Sequence, residues 1–276
     1  MSGAAGVAGP PRRSPTPLIW AGEPHVAAGA VERSFTVDVE GRTVPGILWT
    51  PVDVAGADDP AVPNVRPLVL LGHGAAADKR AEYILALARH LVRDRGFAAA
   101  AIDGPGHGDR KLDRDRDDIG VFSDFVAEWS REGSTDDVVA EWTATLDALH
   151  GLAELEGGPV GYWGLSMGTI YGVPFVASEP RISVAVLGLM GAVGPTRDRL
   201  AADAARITCP VTFLQQWDDQ LLPRDQVLAL FDAIGAPDKR LHAHPGDHSA
   251  VPPEELTFSV EFLARHLAPG RAPGSG

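Results

Sequence analysis

Three observations predict an α/β protein built on a mostly parallel sheet with helices on both faces. Short apolar runs recur at residues 68–71, 97–102, 160–163, 182–190 and 211–214. Stretches with helical apolar spacing stand between them, as strands buried on both faces require. Every residue of chemical interest falls just past the end of a run, where ligands collect in such sheets. An antiparallel opening hairpin makes the expected sheet mixed. The 276 residues are enough for one large domain with a sizeable core and no disulfide.

Residues 1–17 (MSGAAGVAGPPRRSPTP) have no hydrophobic periodicity and read as a disordered tail, as do residues 269–276. One domain is expected over 18–268. Phe35, Val37 and Val39 alternate with Thr36, Asp38 and Glu40, the period of a half-buried strand. Gly41 and Arg42 turn the chain into a second strand over 44–49. The Pro-punctuated stretch 51–67 reads as a surface loop. The run 68–71 ends in Gly72-His73-Gly74, and Ile84, Leu87, Ala88 and Leu91 mark a helix within 80–95. The next run ends in Asp103-Gly104-Pro105-Gly106. Asp136 and Asp137 head a helix whose Val139, Trp142, Leu146 and Leu149 share one face. A helix through Tyr171 and Phe175 follows the third run. Residues 226–234 and 253–266 read as further helices, with a short strand at 241–244 between them.

Charge and cysteine content exclude several functions. The formal net charge is −13, and the densest basic window, Arg110, Lys111, Arg114 and Arg116, is interleaved with aspartates. That is a solvated loop rather than a phosphate track, so no nucleic-acid partner is expected. Cys209 is the single cysteine, which excludes an internal disulfide and a cysteine-based zinc site. No 18-residue apolar stretch predicts a membrane span, and Arg12 and Arg13 follow rather than precede the small N-terminal residues. A soluble, cytoplasmic protein with no membrane partner is the reading. No histidine pair has metal-ligand spacing on a helix, and Pro105 interrupts the glycines of 104–108, so neither metal nor nucleotide cofactor is expected.

The chemistry centres on Gly164-Leu165-Ser166-Met167-Gly168. Between a strand and a helix, such a turn lifts a serine hydroxyl above the sheet, and the flanking glycines avoid collisions with neighbouring backbone. A lone serine is unreactive at neutral pH; it needs a base, and the base an orienting acid. After the fifth run stands Asp218-Asp219-Gln220-Leu221-Leu222-Pro223, and the D-x-x-L-P pattern favours Asp219 over Asp218. His248 lies in the loop between the last strand and the last helix, while His242 and His244 belong to the strand end as structural residues. The order Ser166, Asp219, His248 matches one of the known triad orders. Acyl transfer also needs amide donors for an oxyanion. The N–H of Met167 is one candidate; Ala75, with Ala76 as alternative, supplies the other. His73 reads as a loop-packing residue.

From about residue 33 to 266 the chain resembles the α/β-hydrolase superfamily, in its small esterase and dienelactone-hydrolase-like branch. The residues that carry the resemblance are His73-Gly74, the DGPGHG of residues 103–108, the GLSMG around Ser166, Asp219 with Pro223, and His248. The resemblance implies an eight-stranded, mostly parallel sheet, a Ser–Asp–His triad, no cofactor and a structural role for the Asp103 turn. Dienelactone hydrolases carry cysteine in the elbow; this sequence has Ser166 and departs from them there.

Residues 191–210 are too few for a separate lid domain. The longer insertion, 109–136, holds Ile119, Val121, Phe122, Phe125 and Trp129 among charges. It is expected either to cover the site or to pack as an ordinary helix. Phe122, Phe125, Trp129 and Trp217 are the candidate substrate contacts. The expected function is a lidless serine hydrolase of small-molecule carboxylic esters. An acyltransferase, thioesterase, lyase or cofactor-free haloperoxidase-type activity is the alternative on the same fold, and a binding module without chemistry is a third reading.

Overall fold

The computed structural model describes residues 17–27, 29–52, 65–75, 77–113, 115 and 117–268. Most of both tails, residues 53–64 of the loop, Arg114, Arg116 and the alternative donor Ala76 lie outside the described residues.

The strands are β1 (Ile19–Ala27), β2 (Ala30–Val39), β3 (Arg42–Pro51), β4 (Leu68–Gly72), β5 (Ala98–Ile102), β6 (Val160–Gly164), β7 (Ile182–Gly188), β8 (Val211–Gln216) and β9 (Lys239–His244). The helices are α1 (Glu82–Arg89), α2 (Asp118–Ser130), α3 (Ser134–Leu149), α4 (Met167–Ser178), α5 (Arg197–Ala204), α6 (Arg224–Ala233) and α7 (Glu254–Leu267). One sheet runs in the order β1-β2-β3-β5-β4-β6-β7-β8-β9. The β1–β2, β2–β3 and β3–β5 pairings are antiparallel, and all pairings from β5 to β9 are parallel.

The sheet has nine strands, not eight. The additional one, β1, is exposed along nearly its whole length and shifts register between Ala21 and His25. With neither face buried, and with Gly22 and Pro24 inside it, it has no alternation for a reader to find. Helix α5 is the other element without a sequence signal; only Leu200, Asp203 and Ala204 of it are buried.

Successive strand residues feed opposite faces. Leu68, Leu70 and Tyr162 pack with Trp142, Leu146, Phe175 and Leu230 on the α3–α6 side. Val69, Leu71 and Trp163 pack with Ile84, Leu87, Leu263 and Leu267 on the α1 and α7 side. Both faces are covered, which is why the parallel strands read as unbroken apolar runs. The carboxyl ends of β4, β6, β8 and β9 therefore open onto one edge of the molecule, and the site is there.

Candidate active site

Ser166 sits between β6 and α4 with φ 57° and ψ −117°. A non-glycine residue there is strained by about 1–3 kcal/mol, and the surroundings must hold it. The Ser166 N–H donates to the Gly188 carbonyl at 3.0 Å. Thr169 Oγ1 accepts from Gly188 N–H at 2.8 Å and lies 2.9 Å from the Gly164 carbonyl oxygen, tying β6, β7 and α4 together. Tyr162 donates its hydroxyl to the Gly168 carbonyl at 2.7 Å. A Cβ at residue 164 would lie 2.8 Å from that same carbonyl oxygen, so the turn closes only around glycine.

His248 Nε2 stands 3.0 Å from Ser166 Oγ, and His248 Nδ1 stands 2.7 Å from Asp219 Oδ2. The Asp219 side chain is almost wholly buried, and its Oδ1 accepts the N–H of Leu221 at 2.8 Å and of Leu222 at 3.1 Å. Those turn amides fix the carboxylate. Its other oxygen accepts Nδ1–H, which leaves the Nε2 lone pair facing the serine. Asp218 points outward, 64% exposed, near Arg224. The two loops are laced together: His248 N–H donates to Gln220 Oε1 at 3.0 Å, and Gln216 Nε2 donates to the Asp247 carbonyl at 3.1 Å. Gln216, Gln220 and Thr169 had no motif to announce them; only their adjacency to the candidate residues could have drawn notice.

Four other histidines have partners away from Ser166. His242 Nδ1 and His244 Nε2 both meet Glu255 Oε1, at 2.7 and 2.9 Å, which ties β9 to α7. His73 accepts the Gly104 N–H at Nε2 (2.9 Å), so its Nδ1 carries the proton and donates to the Gly74 carbonyl (2.9 Å). Burial lowers its pKa and keeps it neutral. His107 lies against His73 with ring centroids 5.2 Å apart, and burial with that neighbour pushes its pKa down to about 4. Asp103 is fully buried, paired with the Lys79 ammonium, and accepts the N–H of Lys79 and of Asp109.

The Ala75 and Met167 N–H groups have no backbone acceptor among the described residues. A cavity of about 310 Å³ opens beside Ala75; Tyr83, Trp163, Leu165, Leu189, Val251 and Leu256 supply its apolar walls, with Ala75, Ser166 and His248 at its polar end. Phe122, Phe125, Trp129 and Trp217 do not line it. Phe125 is buried between His107 and a stacked Trp129, whose Nε1 donates to Thr196. Phe122 is half exposed on α2, and Trp217 carries the Arg224 guanidinium on its face. The walls come instead from α1, β6 and the segment entering α7. No metal-binding cluster occurs among the described residues, and none of their helices is long and apolar enough to cross a membrane.

Together, the sheet order and a serine raised at the end of β6 define an α/β-hydrolase fold. Neither a scan of protein-family models nor a comparison with curated proteins finds a match. Solved structures do match. A cold-adapted esterase from an Arctic intertidal metagenomic library is 43% identical, with 90% of this chain and 99% of that one covered and a TM-score of 0.78. An acetyl xylan esterase from Paenibacillus sp. R4 is 16% identical over 92% of this chain and 90% of that one, at a TM-score of 0.69. The dienelactone hydrolase of Anabaena variabilis is 17% identical over 87% and 97%, at a TM-score of 0.61. At those identities the last two speak for the fold alone. The chain belongs to the esterase branch of the α/β-hydrolase superfamily, and it is an ester-bond hydrolase.

Proposed function

We propose that the protein hydrolyses small carboxylic esters through Ser166, His248 and Asp219, by way of an acyl-enzyme. The observation that carries this reading is the continuous contact from Ser166 Oγ through the His248 ring to Asp219, at 3.0 and 2.7 Å. Ser166 Oγ attacks the ester carbonyl carbon as His248 Nε2 takes its proton. The carbon–oxygen bond to the alcohol then breaks, and the alcohol leaves with that proton. Water attacks the acyl-serine, giving one proton to Nε2, and Ser166 recovers it as the acid departs. Asp219 keeps the imidazole in the tautomer that exposes Nε2 and stabilises the imidazolium. The Met167 and Ala75 amides receive the oxyanion; Met167 opens α4, whose N-terminus adds a favourable field.

The cavity of about 310 Å³ is at the small end of ligand pockets, which supports a short acyl group. Cys209 takes no part: it is mostly buried and its thiol is pushed up to about 11, so the chemistry needs neither an oxidising nor a reducing compartment. This is compatible with a cytoplasmic protein.

The test is a panel of p-nitrophenyl esters of rising acyl length, run beside Ser166→Ala and a fluorophosphonate probe. Turnover of the short esters, labelling of the wild type and loss of both in Ser166→Ala are expected. Failure of the wild type to label overturns the nucleophile assignment.

A further inference from the structure

Tyr83 lies in the first turn of α1 and belongs to no motif of the sequence. Its hydroxyl oxygen accepts the Gly74 N–H at 2.8 Å. Gly74 stands directly over the serine: a Cβ built there would be 4.0 Å from Ser166 Cβ and 3.5 Å from the Tyr83 oxygen. The phenol ring packs on Trp163 with centroids 6.0 Å apart, and the Trp163 indole donates to Ser259 of α7. The hydroxyl thus projects from a platform built by α1, β6 and α7.

The loop after β4 is held at three points. His73 is held by Gly104 across to β5, Gly74 by Tyr83, and Lys79 by Asp103. Ala75, next to the middle anchor, has no backbone acceptor for its N–H among the described residues. The Gly74 N–H has a single partner among them, the Tyr83 hydroxyl. The Ala75 N–H shares a plane with the Gly74 carbonyl, which accepts from His73 Nδ1 at 2.9 Å and from the Ala77 N–H at 3.3 Å, while the Tyr83 bond fixes the other side of the Gly74 Cα through the preceding peptide.

We propose that Tyr83 is a positioning residue for ester hydrolysis: its hydroxyl pins Gly74 so that the adjoining Ala75 amide points at the oxyanion. The inference rests on the reading of Ser166 as nucleophile and Ala75 as donor. Tyr83 touches no reacting atom in this role and acts through the Gly74 N–H and the placement of the Gly74 Cα that carries the Ala75 peptide. Misaiming one oxyanion donor lowers kcat while leaving ground-state binding in place.

Tyr83→Phe keeps the ring on Trp163 and the cavity wall and removes only the oxygen. With an acetyl ester, kcat is expected to fall about 10- to 100-fold while KM stays within about 2-fold, since removing such a donor outright costs on the order of 10²–10³. Affinity for a trifluoromethyl ketone transition-state analogue should fall by the same factor as kcat. Thermal melting and far-UV circular dichroism confirm that the variant folds, and Tyr83→Trp supplies a second variant lacking the phenol. Unchanged kcat in folded Tyr83→Phe, or a change in KM alone with altered acyl-length preference, overturns the proposal and leaves Tyr83 as a wall of the cavity. Fluorophosphonate labelling of Ser166 separates the two claims. Labelling retained in wild type with kcat intact in Tyr83→Phe rejects only the positioning role, whereas absent labelling of the wild type rejects the nucleophile itself.

Discussion

The Cα of Gly168, in the first turn of α4, is pressed against the carbonyl of Gly72 at the end of β4. A Cβ built on residue 168 would stand 2.7 Å from that oxygen. Helix α4 can start directly above the neighbouring strand only because residue 168 has no side chain. Gly168→Ala must push the helix away or tilt the Gly72 peptide, and overpacking of this kind costs about 1–3 kcal/mol. The expected outcome is a lower melting temperature together with a kcat loss of about 10-fold or more, as Ser166 and the Met167 amide shift. An alanine variant with wild-type melting and turnover would show that the contact is slack.

Asp219 and Asp218 are adjacent in sequence and opposite in environment. One is sealed against His248 and two turn amides; the other faces water. Asp219→Asn should lower kcat by on the order of 10³–10⁴ through the wrong imidazole tautomer. Asp218→Asn should stay within about 3-fold. Comparable losses in both variants would reject this division of roles.

His107 gives the fold a calculable acid sensitivity. In the folded chain its pKa is down to about 4, against an ordinary 6.5. Between those values the unfolded chain binds a proton that the folded chain does not. Stability from this group is therefore complete above pH 6.5, drains away as pH falls, and stops falling near pH 4, for a total of about 3 kcal/mol. His73, also lowered by burial, acts in the same direction. Urea unfolding at several pH values should show wild-type stability dropping across this window, and His107→Asn dropping less. Parallel curves for the two proteins would refute the assignment.

Lys79 and Asp103 are both buried, and the Lys79 ammonium also reaches Asp109, whose side chain is 62% exposed. Asp103→Asn leaves the ammonium with that single outer partner. Removing one member of a buried pair costs about 3–5 kcal/mol. Chemical denaturation should register a loss near the lower figure, since Asp109 remains. A loss below about 1 kcal/mol would mean the ammonium escapes to solvent.

Much of this architecture was written in local sequence. The central strands could be read because burial on both faces demands runs such as those around Val69 and Val184. The elbow around Ser166 stood out because such a turn needs small flanking residues, and Asp219 and His248, which follow strand ends, are brought into contact with each other and with Ser166. What stayed hidden depends on contacts made at a distance. Strand β1 has no buried face to leave a pattern. The aromatic residues of α2 look like pocket walls in sequence, yet Phe125 stacks on Trp129 and meets His107 edge-on. Tyr83 and Glu255 are ordinary helical residues until tertiary folding sets them against Gly74 and against His242 and His244.

The residues proposed as nucleophile, orienting acid and base are set far apart along the chain: Ser166 follows β6, Asp219 follows β8 and His248 follows β9. A chain emerging N-terminus first from the ribosome completes its nucleophile's strand well before its base exists. Catalytic competence is then the last property the polypeptide acquires, arriving only when the final strand docks on the sheet and the closing helix locks it through Glu255. A protease cut that frees this last segment would silence the enzyme while sparing most of its hydrophobic interior. Appearance of activity during refolding would report completion of the far edge of the sheet rather than formation of the core.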